Sequence, residues 1–198
     1  SSSSSSSAAS STSGADGDAE DNNNLVVEIL RTTHAGQYPL SGGWREELKV
    51  YNDLTSVAVR VRHSRWRPGN TSRAVLVSVH VDTIHVTAGG SDNTASVGIA
   101  IELTRNVASL GAKDPEALRN AAFIVVFSSA EEEGFMGAHG VVTSHPWFGE
   151  VRCVLNLEAM GNGGPHRMFQ TTKGGASAEL LAMWSEAAVR PSGSVLSS

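Results

Sequence analysis

Residues 123–137 read FIVVFSSAEEEGFMG, an apolar run that stops at three consecutive carboxylates. Apolar residues without polar alternation read as a strand buried on both faces, as in a parallel sheet, and Gly134 and Gly137 then open a turn. The acids therefore sit past a strand's carboxyl end, the edge at which open α/β sheets bind ligands. Glu131 and Glu132 could work there side by side, one as a base and the other as a metal ligand. An acidic triplet alone is more often a solvated loop, so this reading depends on partners elsewhere in the chain.

Those partners exist. Residues 74–80, AVLVSVH, form a second buried-strand pattern that ends in His80, and the apolar run at 151–157 leads into Glu158. Asp92 lies in AGGSDN, residues 88–93, just ahead of a helical pattern. Neighbouring parallel strands put their carboxyl ends on one edge, so residues far apart in sequence can converge there. Imidazole nitrogen with carboxylate oxygen suits zinc, and a carboxylate such as Asp92 can bridge two ions. Glu131 need not bind metal: it could take a proton from a metal-activated water and pass it to a leaving amine. Asp82, two residues after His80, could orient the imidazole through its other nitrogen. Taken singly, each has a plainer role: Asp92 as a helix cap, Asp82 as a turn acid, Glu158 as a strand end, His80 as a half-buried histidine.

The elements that must position these residues follow from the pattern. Residues 25–31 and 54–62 alternate apolar with polar, as half-exposed strands do, and Pro39, Gly42 and Gly43 mark a loop between them. Residues 65–72 read as a turn. Val97, Ile101, Thr104 and Val107 recur at helical spacing, with Ser91, Asp92 or Asn93 as the cap. A polar connector spans 111–120, a short helix 135–144, a further strand 168–171, and a helix 176–189 with Leu180, Leu181, Trp184 and Ala188 on one side. Strands alternating with helices predict a three-layer α/β/α fold around a mixed, mainly parallel central sheet. Residues 1–24 hold no apolar residue larger than alanine and read as a disordered serine-rich tail, which leaves 25–198 as the folded domain.

Composition narrows the function. A net charge of -5 lacks the clustered basic surface that nucleic acid requires, so small or peptide ligands fit better. No apolar run approaches the roughly 20 residues of a membrane span, and no signal-peptide pattern is present. Cys153 is the only cysteine, which excludes an internal disulfide; its apolar neighbours predict a packed core thiol.

Four separated motifs carry a family resemblance: HVD at 80–82, GSDN at 90–93, AEEEGFMGAHGVVTSHPW at 130–147 and NLEAMG at 156–161. In this order they resemble the co-catalytic dizinc aminopeptidases, nearest the endoplasmic reticulum metallopeptidase branch. The resemblance implies two zinc ions, one held by His80, Asp92 and Glu158, the other by Asp92 and Glu132. It implies Glu131 as general base, Asp82 as the acid behind the histidine, and a peptide as substrate. It also implies that the domain is incomplete at its C-terminus: the family's last zinc ligand is a histidine well downstream of NLEA, so this chain should have low activity. The branch is membrane-anchored in the endoplasmic reticulum, although this chain shows no such segment. Two alternatives share the scaffold, a catalytically silent domain and a glutaminyl cyclase-like aminoacyltransferase. The histidines at 34, 63, 85, 139, 145 and 166 match no ligand position and read as surface or packing residues.

Overall fold

The computed structural model describes residues 24–41, 46–68, 73–172 and 175–193. Apart from Asn24, the serine-rich tail lies outside them, as do Gly42 and Gly43. Strands β1 (Leu25–Ser41), β2 (Glu46–His63), β3 (Arg73–His80), β4 (Ala121–Ser128) and β5 (Val151–Asn156) form one sheet in the order β1-β2-β4-β3-β5. The three strands that lead to the candidate residues, β4, β3 and β5, are mutually parallel, while β1 and β2 join as an antiparallel hairpin. Helix α1 (Ala95–Lys113) crosses between β3 and β4, and α2 (Met136–Ser144) between β4 and β5.

Strand β4 shows why the sheet is covered on both sides. Ala122, Ile124 and Val126 join Ala58, Leu76 and α2's Val141 in one apolar cluster. Phe123, Val125 and Phe127 face the other way, onto α1's Val97, Ala100 and Leu103. Period-two alternation of a strand that is apolar from Ala121 to Phe127 thus feeds two layers at once. The α1 face is rotated slightly from the spacing predicted: Ala100 and Leu103 turn inward while Ile101 stays 48% exposed, because docking selects among several apolar residues. No side chain of Ser91, Asp92 or Asn93 caps α1, which starts after Thr94 without a side-chain cap bond.

Other expectations are corrected at the edges. The hairpin strands run far longer than the apolar alternation suggested, and Pro39 lies within β1. Edge position explains the tolerance, since a proline on an outer strand need not break a ladder hydrogen bond. Strand β5 is the opposite edge among the described residues, so Cys153 is half-buried and not a core thiol, and its neighbour Val154 is 50% exposed. The strand at 168–171 shrinks to β6 (Arg167–Met168), paired with β7 (Ser192–Gly193). Helix α3 (Gly175–Ala187) has Leu180, Leu181 and Trp184 half-buried, and Ala188 just beyond it is half-buried too. No helix among the described residues is long and apolar enough to cross a membrane.

Two buried polar groups pin the layers together. Arg60 is clamped between Glu28 at 2.7 Å and Glu150 at 2.8 Å, with its guanidinium 4.1 Å from the Trp147 ring centre. Beside it His145 is only 4% exposed, and its Nδ1 accepts the Trp147 amide at 3.2 Å. Burial first, then the charges of His34 and Arg60, push the His145 pKa down to about 4. In the unfolded chain it titrates near 6.5. Between these values the unfolded state binds the extra proton, so this stability is complete above about pH 6.5 and is lost as pH falls toward 4. Denaturant unfolding should show up to about 3 kcal/mol of loss across that window, and His145→Asn, which keeps an acceptor for the Trp147 amide, should remove this share of the slope. An unchanged slope would show that His145 does not resist protonation.

Candidate metal centre

Because β3, β4 and β5 are parallel, their carboxyl ends open on one edge. His80 is the last residue of β3, Glu131 follows the end of β4 by three residues, and Glu158 follows the end of β5 by two. The His80 side chain is buried, and its Nδ1 lies 3.0 Å from the backbone carbonyl of Asp82. A carbonyl only accepts, so Nδ1 carries the proton and the Nε2 lone pair of the neutral ring is directed into the site. Around Nε2 stand Asp92 Oδ1 at 3.2 Å, Glu158 Oε1 at 3.2 Å and Glu131 Oε2 at 3.9 Å.

Asp92 arrives from the turn Gly90–Thr94, where it has φ -123° and ψ 95°. The buried Asn93 fixes that turn by donating from Nδ2 to the Leu157 carbonyl at 3.0 Å, next to Glu158. Ser96 Oγ, one turn on, accepts the Met160 amide at 3.3 Å. The loops that carry Asp92 and Glu158 approach so closely that a Cβ on Gly161 would lie 2.7 Å from Ser91 Cα, so only glycine fits there. Glu131 and Glu132 sit in a tight turn. The Glu131 carbonyl accepts the amides of Gly134 and Phe135, both at 2.8 Å, and the Ala130 carbonyl accepts Met136 at 2.9 Å. Ala130 at φ 57° and Phe135 at φ 67° occupy the left-handed region that costs a side-chain-bearing residue about 1–2 kcal/mol, so surrounding contacts must hold the turn.

Asp82 differs from its expected role. Its backbone carbonyl orients His80, while its carboxylate Oδ1 stays 3.6 Å from the ring, too long for a hydrogen bond. Asp82 Oδ2 instead accepts the Glu132 amide at 3.1 Å, tying the loop after β3 to the turn after β4.

The charges explain what the site is built to hold. Burial lowers the His80 pKa, but the Glu158 hydrogen bond and the charges of Glu158, Glu131 and Asp82 outweigh it, for a net rise. Glu131 is also raised, first by burial; the His80 charge works against this, and Glu158, Glu132 and Asp82 add to it. Three carboxylate oxygens, Asp82 Oδ1, Asp92 Oδ1 and Glu132 Oε1, are buried without a hydrogen-bond partner. Buried anionic oxygens are rarely left so, and oxygens of this kind beside an imidazole nitrogen fit a divalent cation. The ligand atoms of His80, Asp92 and Glu158 all lie within 4.8 Å of one another. Asp92 and Glu132 also line a cleft of about 240 Å³ together with Ile84, Thr87 and residues 88–91.

The six other histidines stay out of the cluster. His34, His63 and His145 are buried in packing, His139 stacks on Tyr38, and His85 and His166 are exposed. The sequence shows Asn93 within GSDN but not its bond to Leu157, and nothing in it marks Tyr38, whose partner Gly134 lies 96 residues away.

Fold and site together define an α/β protein with a histidine–carboxylate cluster at the carboxyl edge of its sheet. Residues 63–198 match peptidase family M28, and the chain belongs to that family. It is 31% identical over 180 residues to endoplasmic reticulum metallopeptidase 1 of Rattus norvegicus, covering 89% of this chain and 18% of the relative. Its human counterpart is 32% identical over 174 residues, covering 88% and 18%. A putative endoplasmic reticulum metallopeptidase 1-B of Caenorhabditis elegans is 39% identical over 123 residues, covering 62% and 13%. The chain thus spans between 13% and 18% of the length of these relatives.

Zinc titration of metal-stripped protein, checked by elemental analysis, should give saturable binding that His80→Ala weakens by at least roughly tenfold. Folded protein with no zinc above background would remove the metal reading.

Proposed function

We propose that the chain carries the metal-binding core of a zinc exopeptidase of the aminopeptidase type, cleaving the bond at the amino end of a peptide. What supports this most is the convergence of His80, Asp92 and Glu158, with Glu131 standing just outside hydrogen-bond range of the same imidazole. In this reading His80, Asp92 and Glu158 hold one zinc ion, and Asp92 and Glu132 contribute to a second. Bound zinc supplies Lewis acidity, polarising the scissile carbonyl and making water easier to deprotonate.

The remaining work falls to the protein's own groups. Glu131 Oε2 takes a proton from the attacking water and returns it to the departing amine; its raised pKa makes the carboxylate a better base once ionised. Asp82 holds His80 through its carbonyl and Glu132 through its carboxylate. The cleft beside Asp92 and Glu132 gives the peptide a way to these carboxylates. The net charge of -5 suits a peptide amino terminus better than a nucleic acid. The relatives' names support a compartment in the endoplasmic reticulum.

The test separates base from ligand. In the full-length protein assayed on amino-acid amides, Glu131→Gln should keep its zinc and lose a factor of about 10² to 10⁴ in kcat. Glu132→Gln should instead weaken metal binding. A Glu131→Gln enzyme with more than about a tenth of wild-type turnover contradicts the assignment.

A further inference from the structure

The hairpin of β1 and β2 is longer than the sheet requires. Strand β2 pairs with β4 from Val57 onward, so residues 46–56 and their partners in β1 run past the carboxyl end of β4, on the side of the metal centre. On this arm Gly36, Tyr38 and Leu40 face the same way as Lys49 and Tyr51 opposite them, and their outward neighbours Gln37, Pro39, Leu48 and Val50 are exposed.

The inner face of the arm lies on the turn of Glu131 and Glu132 and the start of α2. The Tyr38 hydroxyl donates to the Gly134 carbonyl. Its ring stacks on His139, with centroids 4.3 Å apart, and Tyr51 Oη meets His139 Nδ1 at 2.7 Å. The fit is close: a Cβ on Gly134 would lie 2.9 Å from Lys49 Cε and 3.0 Å from Leu40 Cδ2. Gly134 in turn donates its amide to the Glu131 carbonyl at 2.8 Å. A continuous path, Tyr38 hydroxyl to Gly134 peptide to Glu131 backbone, therefore joins the arm to the two acids, flanked by Ala130 and Phe135 in left-handed conformations.

We propose that Tyr38 is a positioning residue and that the overhanging hairpin is a clamp: it holds the Glu131–Glu132 turn in the one conformation that aims both carboxylates at the centre. This rests on the roles given above to Glu131 and Glu132, but the restraint itself is independent of them. Displacement of a base by about 1 Å can cost roughly a hundredfold in rate, so a clamp acting through one hydroxyl has a measurable reach.

The test is Tyr38→Phe, which keeps the ring on His139 and removes only the donor to Gly134. Leu118→Ala serves as control, a core truncation near the start of β4 and away from the turn. Three readouts are compared: hydrogen exchange of the amides of residues 132–136 in metal-free protein, zinc affinity by competition titration, and kcat against KM on an amino-acid amide in the full-length protein. For Tyr38→Phe we expect exchange at these amides faster by roughly tenfold, zinc binding weaker by a similar factor, and kcat lower by about tenfold or more with KM little changed. Leu118→Ala should lower the melting temperature without these local effects. If Tyr38→Phe alters the three readouts no more than Leu118→Ala does, the clamp is overturned. If wild-type protein neither binds zinc nor hydrolyses the amide, the catalytic reading fails, and exchange alone decides: faster local exchange in Tyr38→Phe upholds the restraint, and equal exchange ends it.

Discussion

Four carboxylates stand within 4 Å of one imidazole: Asp92 and Glu158 at 3.2 Å, Asp82 at 3.6 Å and Glu131 at 3.9 Å. The rest of the structure answers to that crowding. At an effective dielectric near 20, two like charges about 4 Å apart repel by about 4 kcal/mol, and one imidazolium cannot offset several such pairs. His80 and Glu131 are both raised, which expresses the same imbalance, since acids crowded together favour holding protons. A divalent cation relieves it by replacing repulsion with coordination, and the orphaned oxygens of Asp92 and Glu132 are where that relief is needed.

Holding such a cluster requires a scaffold that does not yield. Two apolar layers on opposite faces of β4 and β3 fix the strand ends, and the loops beyond them are then stitched to one another. Asn93 ties the Asp92 turn to Leu157, Ser96 receives Met160, and Asp82 takes the Glu132 amide. Each bond joins two of the segments that lead to the cluster, so misplacing one carboxylate would disturb its neighbour. The hairpin arm adds restraint from outside, at the turn where Ala130 and Phe135 are held in left-handed conformations.

The buried strands and the convergence of their ends were legible in the sequence because unbroken apolar runs ending in a histidine or an acid leave few alternatives. Strands β3, β4 and β5 lie within a residue or two of where the pattern put them. Family resemblance added roles to residues that geometry alone brings together. What the sequence hid were features made by tertiary contact. The outer half of the hairpin carries polar residues and Pro39, so it reads as loop, yet pairing across the register extends both strands. Asp92 looks like a helix cap because local pattern cannot see Glu158 arriving from another strand. Asp82 reads as His80's partner by proximity, whereas the folded chain offers its carboxylate a backbone amide 50 residues away. Cys153 reads as a core thiol because an apolar run does not reveal which strand is at an edge, and it lies half-buried on β5.

A metal held by this cluster would be bound by one imidazole and carboxylate oxygens. X-ray absorption at the zinc edge on the stoichiometric complex tests it most directly. The expected spectrum shows a first shell of nitrogen and oxygen at about 2.0–2.2 Å with an imidazole signature and no sulfur, the signature disappearing in His80→Ala. A sulfur scatterer near about 2.3 Å, or a shell that His80→Ala leaves unchanged, would place the metal elsewhere and contradict the account.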